Sequence, residues 1–186
     1  MLDDQGLLLA IFGNIEAHEW VELCLVTKEK TGQTVFFHDP LALLERAEAI
    51  DNREHCFFGV APRNNRSGVA SSVDHIDVIW ADLDAKDFDD SKEAALAAAD
   101  LLVLPPSYIV DSGHGYHAYW LLQKSIEAQK GCEIVRLVGE LLGGGHVGDP
   151  ARVMRIPGTY NIKREPLSLC QVIRAKPELR LSLIHI

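Results

Sequence analysis

Residues 75–83, HIDVIWADL, leave little choice of local structure: β-branched and aromatic side chains dominate, and their period of two is that of a strand. Ile76, Val78 and Trp80 share one face with Asp82, and Asp84 continues it. An apolar sheet surface therefore ends in two carboxylates, their Cα atoms about 6.6 Å apart at ~3.3 Å per residue. That is close enough to share one or two divalent cations. Two like charges ~4 Å apart repel by about 4 kcal/mol at an effective dielectric near 20, so the pair calls for a cation. The plainer reading is a strand running out into an acidic turn, since Asp87, Asp89 and Asp90 follow.

The flanking sequence supplies partners for this strand. Residues 20–27 (WVELCLVT) and 34–38 (TVFFH) predict a hairpin about the turn residues Lys30 to Gly32. Asp39-Pro40 gives an N-cap and a proline at the first helical position, with LALLERAEAI following at helical spacing. A strand over 55–61 (HCFFGVA) ends in the polar loop PRNNRSGVASS. Ser91 is placed to cap an alanine-rich helix near 92–103, which Pro105-Pro106 must end. Two strands, 107–111 and 116–122, are joined through Ser112 to Gly115. Ser125 then caps an amphipathic helix with Ile134, Leu137, Val138, Leu141 and Leu142 on one side, stopped by Gly143 to Gly145. Strands near 151–156 and 168–174 complete one α+β domain over residues 1–186, not a doubly wound sheet.

At 47% hydrophobic residues and a mean hydropathy of +0.02, disorder, collagen and coiled coil are excluded. No apolar run approaches the ~20 residues of a membrane helix, and the acidic start MLDDQGLLLAIFGN is unlike a signal peptide. A cytoplasmic protein with no membrane partner is expected. Cys24, Cys56, Cys132 and Cys170 form no C-x-x-C pair, so zinc is not expected. The net charge of -9 disfavours a passive nucleic-acid binder, but its distribution is uneven. Residues 1–100 carry 8 basic and 20 acidic side chains, and residues 151–186 carry 7 and 2. A fold bringing these ends together sets carboxylates for a metal beside cations for phosphate. Most of the acidic surface serves solubility.

Two further segments carry chemistry. In DSGHGYHAYWLL, residues 111–122, a Ser-Gly-x-Gly turn leads into a strand, with His117, Tyr119 and Leu121 on one face. His117 can meet a phosphate or a metal there, or be a hydrogen-bonded core histidine. His114 and His117 point to opposite faces of a strand and do not make a zinc pair. In GDPARVMRIPGTYNIK, residues 148–163, Asp149 precedes Arg152, Arg155 and Lys163, with a turn at Pro157-Gly158. One carboxylate before several cations suits a metal-bound polyphosphate, whose oxygens arginine grips in bidentate fashion. A surface turn with scattered basic residues is the alternative. There is no G-x-x-x-x-G-K-[ST] loop and no G-x-S-x-G elbow.

In this order the three segments resemble the archaeo-eukaryotic primase superfamily, most closely the primase-polymerase domains of phage and plasmid replication proteins, including the RepB-like primases. The matching features are Asp82-Leu83-Asp84 at a strand end, Ser112 through His117, and Asp149 with the R-x-P-G-T-x-N-x-K run from Arg155 to Lys163. The upstream GVAPR, ending at Arg63, is similar as well. The resemblance spans roughly residues 20–165. It implies an α/β half packed on a half like an RNA-recognition motif, with the active site between them. It further implies template-directed nucleotidyl transfer (primase or DNA polymerase) with two Mg²⁺ or Mn²⁺ ions. Asp82, Asp84 and Asp149 would be the catalytic metal ligands, and His117, supported by Ser112, would contact the triphosphate. Arg155, Lys163 and Arg63 would be further nucleotide contacts. The implied partners are a DNA template, single-stranded by preference, and a dNTP or NTP. Many relatives continue into a helical priming domain and a helicase.

Tyr116, Trp120 and Tyr160, near the motifs, are candidates to stack on template bases. A metal-dependent nuclease also uses clustered aspartates, and a non-catalytic nucleotide or nucleic-acid binder could share the fold. The closing LSLIHI has no functional reading.

Overall fold

A computed structural model describes residues 4–50, 52–145 and 148–182. Two largely antiparallel sheets carry the chain. The first has the strand order β2-β1-β3-β7 and is built from β1 (Val21–Val26), β2 (Gly32–Phe37), β3 (His55–Gly59) and β7 (Val153–Arg155). The second centres on β6 (Gly115–Glu127), which pairs antiparallel with β4 (His75–Asp84) and with β5 (Tyr108–Asp111). Strand β10 (Gln171–Ala175) extends it beyond β5, and the two-residue β11 (Arg180–Leu181) joins β6 in parallel. A small ladder of β8 (Tyr160–Asn161) and β9 (Ser168–Leu169) stands apart. This is the α+β architecture expected from the sequence.

The helices cover these sheets. Helix α1 (Gly6–Phe12) packs on α2 (Pro40–Glu48), and α2 lies on β1. Helices α3 (Lys92–Ala99) and α4 (Ala128–Leu142) lie on β4 and β6. The core runs on between the sheets, where Phe58 of β3 meets Tyr119 of β6 with ring centroids 6.4 Å apart. No described helix is long and apolar enough to cross a membrane.

Local signals act as their chemistry requires. The Asp39 side chain accepts from the Leu41 N–H at 2.8 Å ahead of Pro40, and Ser91 accepts from the Ala94 N–H at 3.1 Å. Gly143 closes α4 in the left-handed conformation, with φ of 71°. Three expectations need correction. Helix α3 ends at Ala99, several residues short of Pro105. Ser125 does not cap α4: β6 continues through it to Glu127, and its hydroxyl donates to Asp77 Oδ1 on the neighbouring strand. Helix α1 was unforeseen; it buries Leu7, Leu8, Ile11 and Phe12, a spacing that places all four on one side.

The S-G-x-G turn earns its glycines twice. Gly113 has φ of 97°, a region that strains any other residue. At Gly115 an added Cβ would lie 2.3 Å from the Leu83 carbonyl oxygen, so only glycine lets β6 approach β4 beside Asp84.

Candidate active site

The register of β4 on β6 makes Asp82 and His117 direct cross-strand partners. Asp84 lies opposite Gly115, where the missing side chain leaves room. The two aspartates share a face as period two requires, and both stay partly open while Ala81 and Leu83 are buried. They line a cleft of about 150 Å³ at the seam between the sheets. Phe57 of β3, Val153, Met154 and Arg155 of β7, and Arg152 approach from the first sheet; Ser112, His114, His117, Asn161 and Lys163 complete the lining. Of the sequence-derived site residues, Asp82, Asp84, Ser112, His117, Arg155 and Lys163 thus meet at one place.

Each carboxylate already has a cation beside it. Arg152 Nη2 donates to Asp82 Oδ2 at 2.8 Å, and Lys86 Nζ to Asp84 Oδ2 at 2.7 Å. Burial raises the Asp84 carboxyl, but the Lys86 hydrogen bond and charge outweigh it and leave the group below its ordinary value. Burial lowers His117, despite the opposing pull of Asp82, and so favours the uncharged imidazole. Its Nε2 lies 3.8 Å from Asp82 Oδ1 and its Nδ1 is 3.4 Å from the Tyr119 hydroxyl. A tautomer that accepts from Tyr119 at Nδ1 keeps a proton on Nε2, directed into the cleft. Two buried nitrogens at the cleft, His114 Nε2 and Arg152 Nε, have no hydrogen-bond partner among the described residues. They are donors or acceptors left over for a polar ligand.

Arg155 is held from two sides. Its Nη1 lies 2.9 Å from His55 Nδ1, and its guanidinium carbon is 4.8 Å from the centre of the Phe57 ring. Burial and the nearby Arg155 charge lower His55 to about 4, so its ring nitrogen accepts the arginine hydrogen bond. The sign follows: the unfolded chain binds a proton at about 6.5 and the native state only near 4, so stability falls as pH drops through that window. An NMR titration is expected to show His55 protonating near pH 4, and at a higher pH, still below its ordinary value because burial persists, in Arg155→Ala. A wild-type midpoint above 6 would contradict the geometry.

Two expected site residues lie elsewhere. Arg63 is wholly buried, donates to Glu22 Oε2 at 2.9 and 2.5 Å, and holds the carbonyls of Pro150 and Ala151. It is a structural cation with no surface to offer a nucleotide. Asp149 is not in the cleft lining; its Oδ1 accepts from the Ala151 N–H at 2.9 Å in the turn before β7. Among the described residues no three His, Cys, Asp or Glu side chains gather to hold a metal ion. The stacking candidates divide too: Trp120 and Tyr116 are buried, with Trp120 Nε1 donating to the Leu104 carbonyl, while Tyr160 is half-buried. Sequence reasoning missed His55, Phe57 and Asn161. Alternation along HCFFG puts His55 and Phe57 on one face, but nothing local ties that face to Arg155.

The donor chemistry of Asp82 and Asp84 fits a hard divalent cation. Mg²⁺ commonly takes one or two carboxylates and fills its remaining positions with substrate phosphates and water. Asp82 and Asp84 would hold it once Arg152 and the exposed Lys86 turn away.

The sequence matches no family model, and no curated protein matches it. Solved structures do match. The primase-polymerase (PrimPol) AEP domain of cyanophage S-2L superposes with a TM-score of 0.65 at 17% identity, covering 95% of this chain and 91% of that one. The primase RepB′ gives 0.63 at 11% identity over 94% of this chain, which spans 57% of that protein's length. The catalytic domain of RepB′ in complex with initiator DNA gives 0.63 at 12%, covering 94% and 84%. The chain therefore has the fold of primase-polymerase catalytic domains.

Proposed function

We propose that this protein adds nucleotides to a 3′-hydroxyl on a single-stranded DNA template, releasing pyrophosphate from a dNTP or NTP. The observation that carries the reading is the seam itself: Asp82, Asp84 and His117 on one sheet face Arg152 and Arg155 at the other, and Lys163 lines the same cleft. Polyphosphate chemistry needs that pairing, with carboxylates for cations and guanidiniums for phosphate oxygens. A divalent cation held by Asp82 and Asp84 would neutralise phosphate charge and lower the pKa of the attacking hydroxyl.

The chain's own groups then orient the reaction. Arg155, held by His55 and Phe57, presents a fixed guanidinium to the triphosphate. The Nε2–H of His117 donates to a phosphate oxygen without adding a charge. The hydroxyl oxygen forms a bond to the α-phosphorus as the bond to the bridging oxygen breaks; pyrophosphate leaves and the hydroxyl proton passes to water. Asp149 joins as a third ligand in this reading only if its turn opens.

Incubation with a labelled primer-template, dNTPs and Mn²⁺ tests the proposal. Extension supports it, degradation points to a nuclease, and an unchanged primer indicates binding alone. Arg152 gives a second check. Arg152→Gln is expected to tighten Mn²⁺ binding to the nucleotide-free protein several-fold, because the ion no longer competes with a guanidinium for Asp82. The same change is expected to weaken binding of the Mn²⁺–dNTP complex. Electron paramagnetic resonance of free Mn²⁺ reads both.

A further inference from the structure

We propose that a second pocket, between the tip of the β1–β2 hairpin and the 162–165 loop, holds the sugar-phosphate backbone of a single nucleic-acid strand. The strand's role as template rests on the nucleotidyl-transfer reading; its binding does not. The pocket encloses about 500 Å³ and brings Lys28, Lys30, Arg155, Lys163 and Arg164 together against one lining carboxylate, Glu165. In a chain of net charge -9 that is a local reversal of sign. It comes from both ends of the sequence: two lysines from the acidic first hundred residues face the basic segment beyond 150.

The pocket is separate from the catalytic cleft but shares a wall with it. Phe57, Arg155 and Lys163 line both cavities. A strand lying in the pocket therefore leads directly toward Asp82 and Asp84. The wall also offers an apolar surface, since Phe57 and the neutral His55 ring stand with centroids 5.9 Å apart. Cations along the rims with a ring at the wall suit a backbone whose sugars and bases need an apolar contact.

Two details favour an anion over an empty surface. Among the described residues Lys28 is tied only to exposed Glu165, at 3.3 Å across the pocket, a contact that an incoming phosphate displaces readily. Lys30 sits at the hairpin tip with φ of 64°, where glycine would be relaxed, so a long cationic side chain is kept at a conformational cost. The turn beneath it is firm: the Thr27 N–H donates to the Thr31 carbonyl at 2.9 Å, and the Lys30 N–H to that of Thr27 at 3.0 Å.

A duplex fits less well than a single strand. Beyond the pocket the chain as a whole is acidic, with a net charge of -9, and a broad polyanion meets more of it than a single strand does. A free nucleotide has its own place in the cleft.

The test uses the full chain, a labelled oligo-dT, the corresponding duplex, and dNTP with Mn²⁺, each titrated over a range of salt. The variants are Lys28→Glu/Lys30→Glu and the neutral Lys28→Gln/Lys30→Gln. Both lysines are exposed, so unchanged thermal melts are expected. The charge-reversal variant is expected to bind oligo-dT at least about tenfold more weakly at low salt. In both variants the log–log salt slope becomes shallower by about 1.4, or ~0.7 for each lost phosphate contact. Binding of dNTP with Mn²⁺ stays at the wild-type level. Unaltered oligo-dT affinity, no oligo-dT binding by the wild type, an equal loss for duplex, or a parallel loss of dNTP binding each overturns the proposal. Lysine-dependent strand binding without primer extension supports the pocket while removing the catalytic reading.

Discussion

Asp82→Asn is expected to reduce template-directed nucleotide addition by roughly 10³-fold, about 4 kcal/mol of barrier, with the fold retained. Asp82 lines the cleft, faces His117 across the strand pair and receives Arg152 at 2.8 Å. Asparagine keeps the shape and an acceptor for Arg152, but lacks the charge that a divalent cation needs. Charge repulsion between Asp82 and Asp84, expected from their spacing alone, is relieved in the folded chain by Arg152 and Lys86. No gain in stability is therefore expected from removing one carboxylate. Single-turnover extension of a labelled primer, alongside a thermal melt of the same preparation, measures both quantities. Retention of more than a tenth of the wild-type rate would show that the chemistry lies elsewhere.

Arg63→Ala is expected to cost about 3–5 kcal/mol of stability, because it strands Glu22 in the core without a counter-charge. For a domain of this size that lowers the melting temperature by roughly 10 °C. Two backbone carbonyls, those of Pro150 and Ala151, lose their donors as well. The effect reaches the cleft indirectly, since Arg152 and Arg155 follow this stretch of chain. Urea unfolding monitored by tryptophan fluorescence gives the stability change. If Arg63 were instead a nucleotide contact, nucleotide affinity would fall while the unfolding midpoint stayed in place.

The contrast between Arg63 and Arg155 shows where the sequence is readable. Both arginines lie in motifs of the right character, but burial is decided by distant residues. Glu22, which draws Arg63 inward, lies 41 positions away, and His55, which fixes Arg155, lies 100 away. Caps, the hairpin turn and the Gly143 stop depend on a few neighbours and were legible. So was the shared face of Asp82 and Asp84, because period two is local. Ser125 misled because the pairing of β4 with β6 carries the strand past a good capping residue. Asp149 could be recognised by pattern, but no pattern reveals that the Ala151 N–H engages one of its oxygens.

The seam between the sheets also has a consequence for how the protein is made. The carboxylates are in place once β4 and β6 have paired, but Arg152 lies beyond β6, which ends at Glu127. At ~5–20 residues per second, a ribosome adds Arg152 about one to five seconds after Glu127. The nascent chain thus passes through an interval in which its acidic wall exists without its basic one. Arg152 and Arg155 arrive only with the last strand of the first sheet.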